Sequence, residues 1–340
     1  MRSFKKAIRV PIEKAENIRL MIADSGKLDP GRRIRVIGLE VRFLEIPVTE
    51  DIEEFETYDQ EDPVFYNKWQ SLEDRMKGSI PDEELDLLPS GWQILGKVMV
   101  VTIDPKIGHL KERIAEALLQ MYPSCDTVVR DLGISGQFRL PQREVIIGNR
   151  TETINKENGC LFKLDVTKVM FSKGNLHEKA LMSNIGANET IVDMFAGIGY
   201  FTIPMAVHAK PAKIIAIEIN PGSYAYLQEN IALNHVEHIV DALNGDCAEL
   251  TPKGVADRVL MGYVNTTHHY LDQGIAALKE SGGILHYHET TPESLISTRP
   301  AERIRQAASK AGRDVEILEC RKIKKYSPGV WHVVVDARIT

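Results

Sequence analysis

The chain has no uninterrupted apolar run approaching about 18 residues, which argues against a membrane-spanning helix. Its basic start, Met1 to Val10, has no long apolar stretch either, so no secretory signal is expected. Cysteine is scarce: Cys125, Cys160, Cys247 and Cys320 are the only four in 340 residues, and no two form a CxxC pair. That spacing offers neither a zinc site nor a disulfide framework, and it fits a reducing cytoplasm. No metal is expected. What remains is ordinary for a soluble globular protein, 43% hydrophobic and 26% charged. The length exceeds one typical domain and falls short of three.

The net charge of −6 at first speaks against a nucleic-acid partner. Its distribution reverses that. Between Glu45 and Asp86 stand fifteen Asp or Glu against three Lys or Arg, a local charge of −12. The rest of the chain therefore carries +6. Local patches, rather than the total, decide whether phosphates are attracted.

Four segments follow from the pattern. Residues 1–48 read as a small α+β unit, with strands in "AIRVPI" and "RIRVIGLEVRFLEIPV" and a helix in "EKAENIRLMIADSG" that ends at Gly26. Residues 49–90 are acidic and punctuated by proline, as in a connector. Residues 91–165 form a mixed middle unit: "WQILGKVMVVTI" reads as one strand, "HLKERIAEALLQMY" as an amphipathic helix, and further strands joined by turns follow. Residues 166–340 form the last unit, in which strands and helices alternate from Met182 onward, and this predicts a parallel sheet with helices on both faces. The last two strands are separated only by "KYSPG" and must form a hairpin. Seven strands ending in an antiparallel hairpin are the methyltransferase-type variant of the Rossmann-like α/β sheet.

"IVDMFAGIGYFTIPMA" is the densest motif. A strand ends at Asp193, a turn holds Gly197 and Gly199, and a helix follows. The glycines let backbone approach a ligand. A third glycine is missing, because position 202 is Thr. Glu218 closes the next strand, 25 residues after Asp193, where a carboxylate would bind both ribose hydroxyls. The third strand ends in "NGDCAEL", with Asp246 placed to accept from an adenine amino group. Three carboxylates at the carboxyl ends of consecutive strands suit a nucleoside without phosphates. A pyrophosphate would be repelled, so S-adenosylmethionine outranks NAD.

"DMFAGIGYFT", "IAIEINP", "ENIALN" and "KVMFSKGNLHEK" resemble the archaeal-type tRNA guanine-37 modification enzymes. The resemblance covers about residues 90–340. That family holds the N1-methyltransferases of G37 and a sister branch of wyosine (wybutosine) biosynthesis. The sister branch transfers the 3-amino-3-carboxypropyl group of S-adenosylmethionine to C7 of 4-demethylwyosine at position 37 of tRNA-Phe. Residues 1–48 are similar, more weakly, to the domain that the methyltransferases set against the outer corner of tRNA. In the methyltransferases the fourth strand ends in an Asn-x-Pro pattern. Here Met261, Gly262 and Tyr263 stand in its place. With "GGILHYHETTPE" and "KIKKYSPGVWHVVVDARI" they resemble the aminocarboxypropyl branch.

The resemblance implies a cofactor set. Ser172 and Lys179 would touch the methionine end, Glu218 the ribose, and Asp246 with Cys247 the adenine. The family more often carries Arg at position 179, and Lys keeps the charge without the bidentate fork. The reaction implied is a substitution at carbon with a sulfonium leaving group, so orientation is the main demand on the protein. Glu178 matches a block in which the methyltransferases use a carboxylate near the base; its alternative is a helix-surface glutamate. Tyr263, in the place of the Asn-x-Pro pattern, would stand beside the acceptor. His286 and His288 alternate on one strand and, with Glu289, would line the acceptor pocket or pack; no third ligand suggests a metal. His268 and His269 would flank the substrate or lie exposed.

For RNA, Arg321, Lys322, Lys324 and Lys325 cluster near Tyr326 and Trp331, and Arg139, Arg143 and Arg150 form a second basic group. Basic groups beside aromatics suit phosphate contact and stacking. The expected partner is the anticodon loop of tRNA-Phe, with base 37 flipped from its stack. Three other readings compete: a G37 N1-methyltransferase, a non-catalytic RNA-binding protein on a degenerate fold, and an NAD-dependent oxidoreductase. The substitution at Met261–Tyr263 opposes the first. The intact carboxylate and glycine set opposes the second. The missing glycine and terminal hairpin oppose the third.

Overall fold

The computed structural model describes residues 5–37, 43–64, 71–136, 138–172, 176–264 and 266–340. Lys173–Asn175 of the "FSKGNLHEK" block lie outside them. The chain divides into two compact units, Met1–Arg75 and Met76–Thr340.

In the first unit, β1 (Lys6–Pro11), β2 (Arg35–Ile37), β3 (Phe43–Pro47) and β4 (Thr57–Asp59) form an antiparallel sheet in the order β2-β3-β1-β4. The helix Ile12–Asp24 buries Ala15 and Ile22, seven positions apart and so on one face, with Ile8, Val10 and Ile46. Strand β4 and the unit boundary at Arg75 both fall inside the segment read as an acidic connector. Gln60, in the same segment, accepts from the buried guanidinium of Arg32, which also donates to Asp29 and to the carbonyls of Lys6 and Val48.

The second unit begins with β5 (Trp92–Leu95), β6 (Val98–Val101), β7 (Thr127–Ser135) and β8 (Leu140–Ile147), paired in that order. The single strand expected over "WQILGKVMVVTI" is in fact two, because Gly96 turns at φ 55°. A side chain on Gly96 would meet the Thr153 hydroxyl at 2.2 Å. Strands β6 and β7 are parallel, joined across the helix Lys111–Met121. A hairpin follows, β9 (Glu152–Glu157) with β10 (Cys160–Asp165).

The large sheet contains β11 (Thr190–Asp193), β12 (Lys213–Glu218), β13 (Val240–Asn244), β14 (Arg258–Met261), β15 (Gly283–Pro292), β16 (Val315–Ser327) and β17 (Val330–Ile339). Its order is β13-β12-β11-β14-β15-β17-β16. The first five run parallel, and β17 lies antiparallel between β15 and β16. This is the seven-stranded sheet with a terminal hairpin that the sequence predicts. The strand order reverses at β11/β14, which opens a crevice at the carboxyl ends.

"ENIALN" has a mechanical explanation. It ends the helix Pro221–Leu233, with Asn230 and Asn234 one turn apart. The Asn230 amide accepts from Lys163 N–H and donates to Lys163 C=O, at 2.7 and 3.2 Å. Asn234 does the same for Leu161, at 2.9 and 2.7 Å. The two amides thus act as a substitute neighbouring strand for the free edge of β10, which would otherwise be buried unsatisfied.

Candidate active site

A cavity of about 550 Å³ opens at the carboxyl ends of β11–β14, within the range of small-ligand sites. Loops after those strands supply most of its wall, and β16, β17, the β7–β8 turn and residues between β10 and β11 supply the rest.

The turn after β11 is built around Asp193. Its carboxylate is buried, accepts from Phe195 N–H at 3.2 Å and from the Thr202 hydroxyl at 2.8 Å, and does not line the cavity. Burial raises its pKa to about 6, against the pull of those two hydrogen bonds. Gly197, at φ 58°, does line the cavity. A side chain there would run into the Tyr200 ring at 2.4 Å. Gly199 is a packing glycine: a Cβ would sit 2.5 Å from Ile203. Asp193 and Gly199 therefore shape the loop, where the sequence suggested ligand contact.

Glu218 lines the cavity and is held from two sides. Gly197 N–H donates to its Oε2 and Asn220 N–H to its Oε1, both at 2.7 Å. Burial raises its pKa while these two backbone bonds oppose the rise. Asn220 also caps the helix Pro221–Leu233, accepting from Gly222 N–H at 2.9 Å. Asp246 lines the cavity and accepts from Ala248 N–H at 2.8 Å. The neighbouring Cys247 thiol is buried and pushed up to about 12, so it is a neutral wall at neutral pH. Ser172 and Lys179 line the cavity too. Lys179 is buried, pairs with Glu157 at 2.7 Å and lies 4.5 Å above the Phe171 ring.

Tyr263 lines the cavity and stacks on Phe195, centroids 5.4 Å apart. Gly262 beside it leaves room for Phe201, whose ring would be 3.3 Å from a Cβ. Three other sequence candidates are elsewhere. Glu178 is buried in an ion pair with Arg321 at 2.9 Å, and Arg321 also binds Asp336 at 2.5 Å. His286 bridges Asp336 at 2.6 Å and Arg258 at 2.5 Å. His288 packs on Phe201 and meets His332 at 3.1 Å. None of the three lines the cavity; His332, from the adjacent strand, does. The alternation rule put His286 and His288 on one face correctly but not the depth of that face. His268 and His269 lie ring to ring at 4.2 Å, also outside the cavity lining.

The basic groups separate likewise. Arg139, Lys324, Lys325 and Tyr326 line the cavity. Arg321 is committed to its carboxylates. Arg143 is only 4% exposed and donates to the Val166 carbonyl at 2.5 Å, so it is no surface contact. Arg150 is exposed away from this cavity. Lys322 and Lys325 approach the Trp331 ring at 4.8 and 5.7 Å. Lys324 has its pKa lowered by burial and by the neighbouring Arg139 and Lys179. Among the described residues no cluster of three or more His, Cys, Asp or Glu could hold a metal ion, and no helix is long and apolar enough to cross a membrane.

Phe201, Asn220 and His332 went unnoticed in the sequence. Asn220 had a signal, since Asn before Pro221 is a helix-start pattern. His332 had none, because its value depends on which strand lies next to β15.

Comparison with known proteins adds the following. Residues 153–318 match the TRM5/TYW2 methyltransferase domain, residues 72–151 the TYW2 N-terminal domain, and residues 7–56 the tRNA methyltransferase 5 N-terminal domain. The chain is 52% identical over 206 residues to a tRNA(Phe) (4-demethylwyosine(37)-C(7)) aminocarboxypropyltransferase of Methanocaldococcus jannaschii, covering 60% of this chain and 82% of the other. It is 32% identical over 337 residues to the tRNA (guanine(37)-N(1))-methyltransferase Trm5b of Pyrococcus abyssi, covering 98% and 99%. The crystal structure of P. horikoshii TYW2 in complex with MeSAdo matches with a TM-score of 0.70 at 39% identity, covering 79% of this chain and 97% of that one.

Proposed function

The chain belongs to the TRM5/TYW2 family, and within it we propose an S-adenosylmethionine-dependent aminocarboxypropyltransferase. It moves the 3-amino-3-carboxypropyl group to C7 of 4-demethylwyosine at position 37 of tRNA-Phe and releases methylthioadenosine. The observation that carries the choice of branch is the end of β14. Gly262 and Tyr263 line the cavity there, where the methyltransferase pattern has an amide. An aromatic wall stacked on Phe195 offers a guanine edge no such partner. The relative from M. jannaschii carries this activity in its name. The P. horikoshii relative was crystallised with MeSAdo, the thioether left when the aminocarboxypropyl arm departs.

Glu218 takes the ribose hydroxyls with its remaining lone pairs, because both oxygens are already oriented by backbone N–H groups. Asp246 takes the adenine amino group beside the neutral Cys247. Ser172 and Lys179 hold the amino-acid end. Attack by C7 on the γ-carbon forms one C–C bond and breaks one C–S bond. Sulfur keeps the electron pair and loses its positive charge, and the C7 proton leaves to water. Cofactor and acceptor are aligned before the step, which is where most of the rate arises. Arg139, Lys324 and Lys325 meet anticodon-loop phosphates, and base 37 enters the cavity unstacked. The unpaired cysteines suit a reducing cytoplasm.

A second reading, G37 N1-methyl transfer, draws on the match of residues 7–56 to the tRNA methyltransferase 5 N-terminal domain. One experiment separates the two. The protein is incubated with S-adenosylmethionine and either tRNA-Phe bearing 4-demethylwyosine or tRNA bearing unmodified G37. Methylthioadenosine formed only with the first tRNA supports the proposal. S-adenosylhomocysteine formed with the second supports the methyltransferase.

A further inference from the structure

His332 is 1% exposed, yet it lines the cavity. Its Nε2 meets His288 Nδ1 at 3.1 Å. Its Nδ1 is buried and has no hydrogen-bond partner among the described residues. An orphaned polar atom in a packed interior requires an explanation, and the residue that carries it lines the cavity.

Position narrows the ligand. In the rung Thr290–His332–Lys324, His332 lies at the edge of the sheet where the parallel strands end. Glu218, at the ribose site, is on β12. From β12 to β17 the sheet counts four steps through β11, β14 and β15, or about 19 Å at the usual strand spacing. The adenosine carboxylates thus occupy one end of the cavity and His332 the other.

The ring is also chemically suited to a neutral base. Burial, Lys324 and Arg139 lower its pKa to about 4. Complete burial and the neighbouring His332 hold His288 well below the ordinary histidine value. Both imidazoles are neutral at neutral pH, and the hydrogen bond between them fixes the plane of His332. A neutral imidazole nitrogen pairs with an amide-like edge without the desolvation cost of a charge.

We propose that His332 is a specificity-determining residue for the acceptor base, its Nδ1 hydrogen-bonding the polar edge of the purine-derived ring system that enters the cavity. His288 is the positioning residue behind it. The assignment rests on the acceptor proposed above.

The test uses the full chain with tRNA-Phe bearing 4-demethylwyosine and compares wild type, His332→Asn and His332→Phe. Asparagine keeps a polar atom near the Nδ1 position, and phenylalanine keeps only the ring shape. His332→Phe is expected to lower kcat/KM for the tRNA about ten- to a hundredfold, with the Kd for S-adenosylmethionine within about twofold of wild type. His332→Asn is expected to recover part of the loss. Retained cofactor affinity shows that a variant is folded; if His332→Phe does not fold, His332→Asn against wild type decides through the same ratio of tRNA kinetics to cofactor affinity. Wild-type tRNA kinetics in the variants would overturn the assignment and leave a packing histidine. Loss of cofactor affinity in step with activity would overturn it in favour of a cofactor contact. A wild-type enzyme that consumes no cofactor with this tRNA would sink the acceptor reading itself.

Discussion

Gly197 and Glu218 lie 21 positions apart and meet through one hydrogen bond, from the glycine N–H to Oε2 of the carboxylate across 2.7 Å. The bond ties the turn after β11 to the end of β12. It also orients the carboxylate toward the cavity before any ligand arrives. Replacing Glu218 by Ala removes this brace and the two charge-assisted bonds to ribose proposed for it. S-adenosylmethionine affinity should fall about ten- to a hundredfold, measured by calorimetry. An unchanged Kd would place the ribose elsewhere.

Asp193 gives a prediction in pH. Its folded-state pKa, about 6, lies above the ordinary value of 3.8. The folded chain therefore holds this proton more tightly than the unfolded chain does. Stability from this group is present below the ordinary value and is lost as pH rises through the folded value. The full swing is about 3 kcal/mol. Asp193→Asn has no such titration. Denaturant unfolding between about pH 4 and 7 should show wild type losing stability relative to the variant as pH rises. Parallel stability profiles would contradict the buried, raised carboxylate.

Glu178 separates two roles by which property changes. It is buried against Arg321 and does not line the cavity. Glu178→Gln should cost about 3 kcal/mol or more, because it leaves Arg321 with one carboxylate fewer in a buried network. Cofactor affinity should stay within about twofold. A large fall in kcat at unchanged melting temperature would instead assign Glu178 to proton transfer.

These residues also show what was legible beforehand. The sheet was readable because alternation of strands and helices and a helix-free last connection leave few topologies. That Glu218 and Asp246 line the cavity was readable because strand ends are fixed points in such a sheet. Asp193 was located by the same rule, but whether a strand-end carboxylate points outward or under its own turn depends on Thr202, a contact that spacing does not encode. The Glu178–Arg321 pair spans 143 positions and brings together a helix and the last hairpin. Only the finished packing brings such charges face to face. His286 and His288 were placed on the right face, but an HxH pattern does not reveal that Asp336, Arg258 and His332 wait opposite.

Lys325 tests the RNA face. It is exposed, lines the cavity mouth and lies near Trp331. Lys325→Ala should weaken tRNA binding and reduce the slope of log affinity against log salt by about one. Filter-binding titrations across a salt series measure it. An unchanged slope would remove Lys325 from the phosphate contacts.

The central claim concerns which arm of the sulfonium leaves. The most direct measurement follows two isotopic labels in S-adenosylmethionine, one in the methyl group and one in the carboxyl carbon, into tRNA-Phe bearing 4-demethylwyosine. Aminocarboxypropyl transfer predicts that the carboxyl label enters the tRNA and the methyl label stays with the released thioether. Methyl label in the tRNA, with the carboxyl label left in solution, would contradict it.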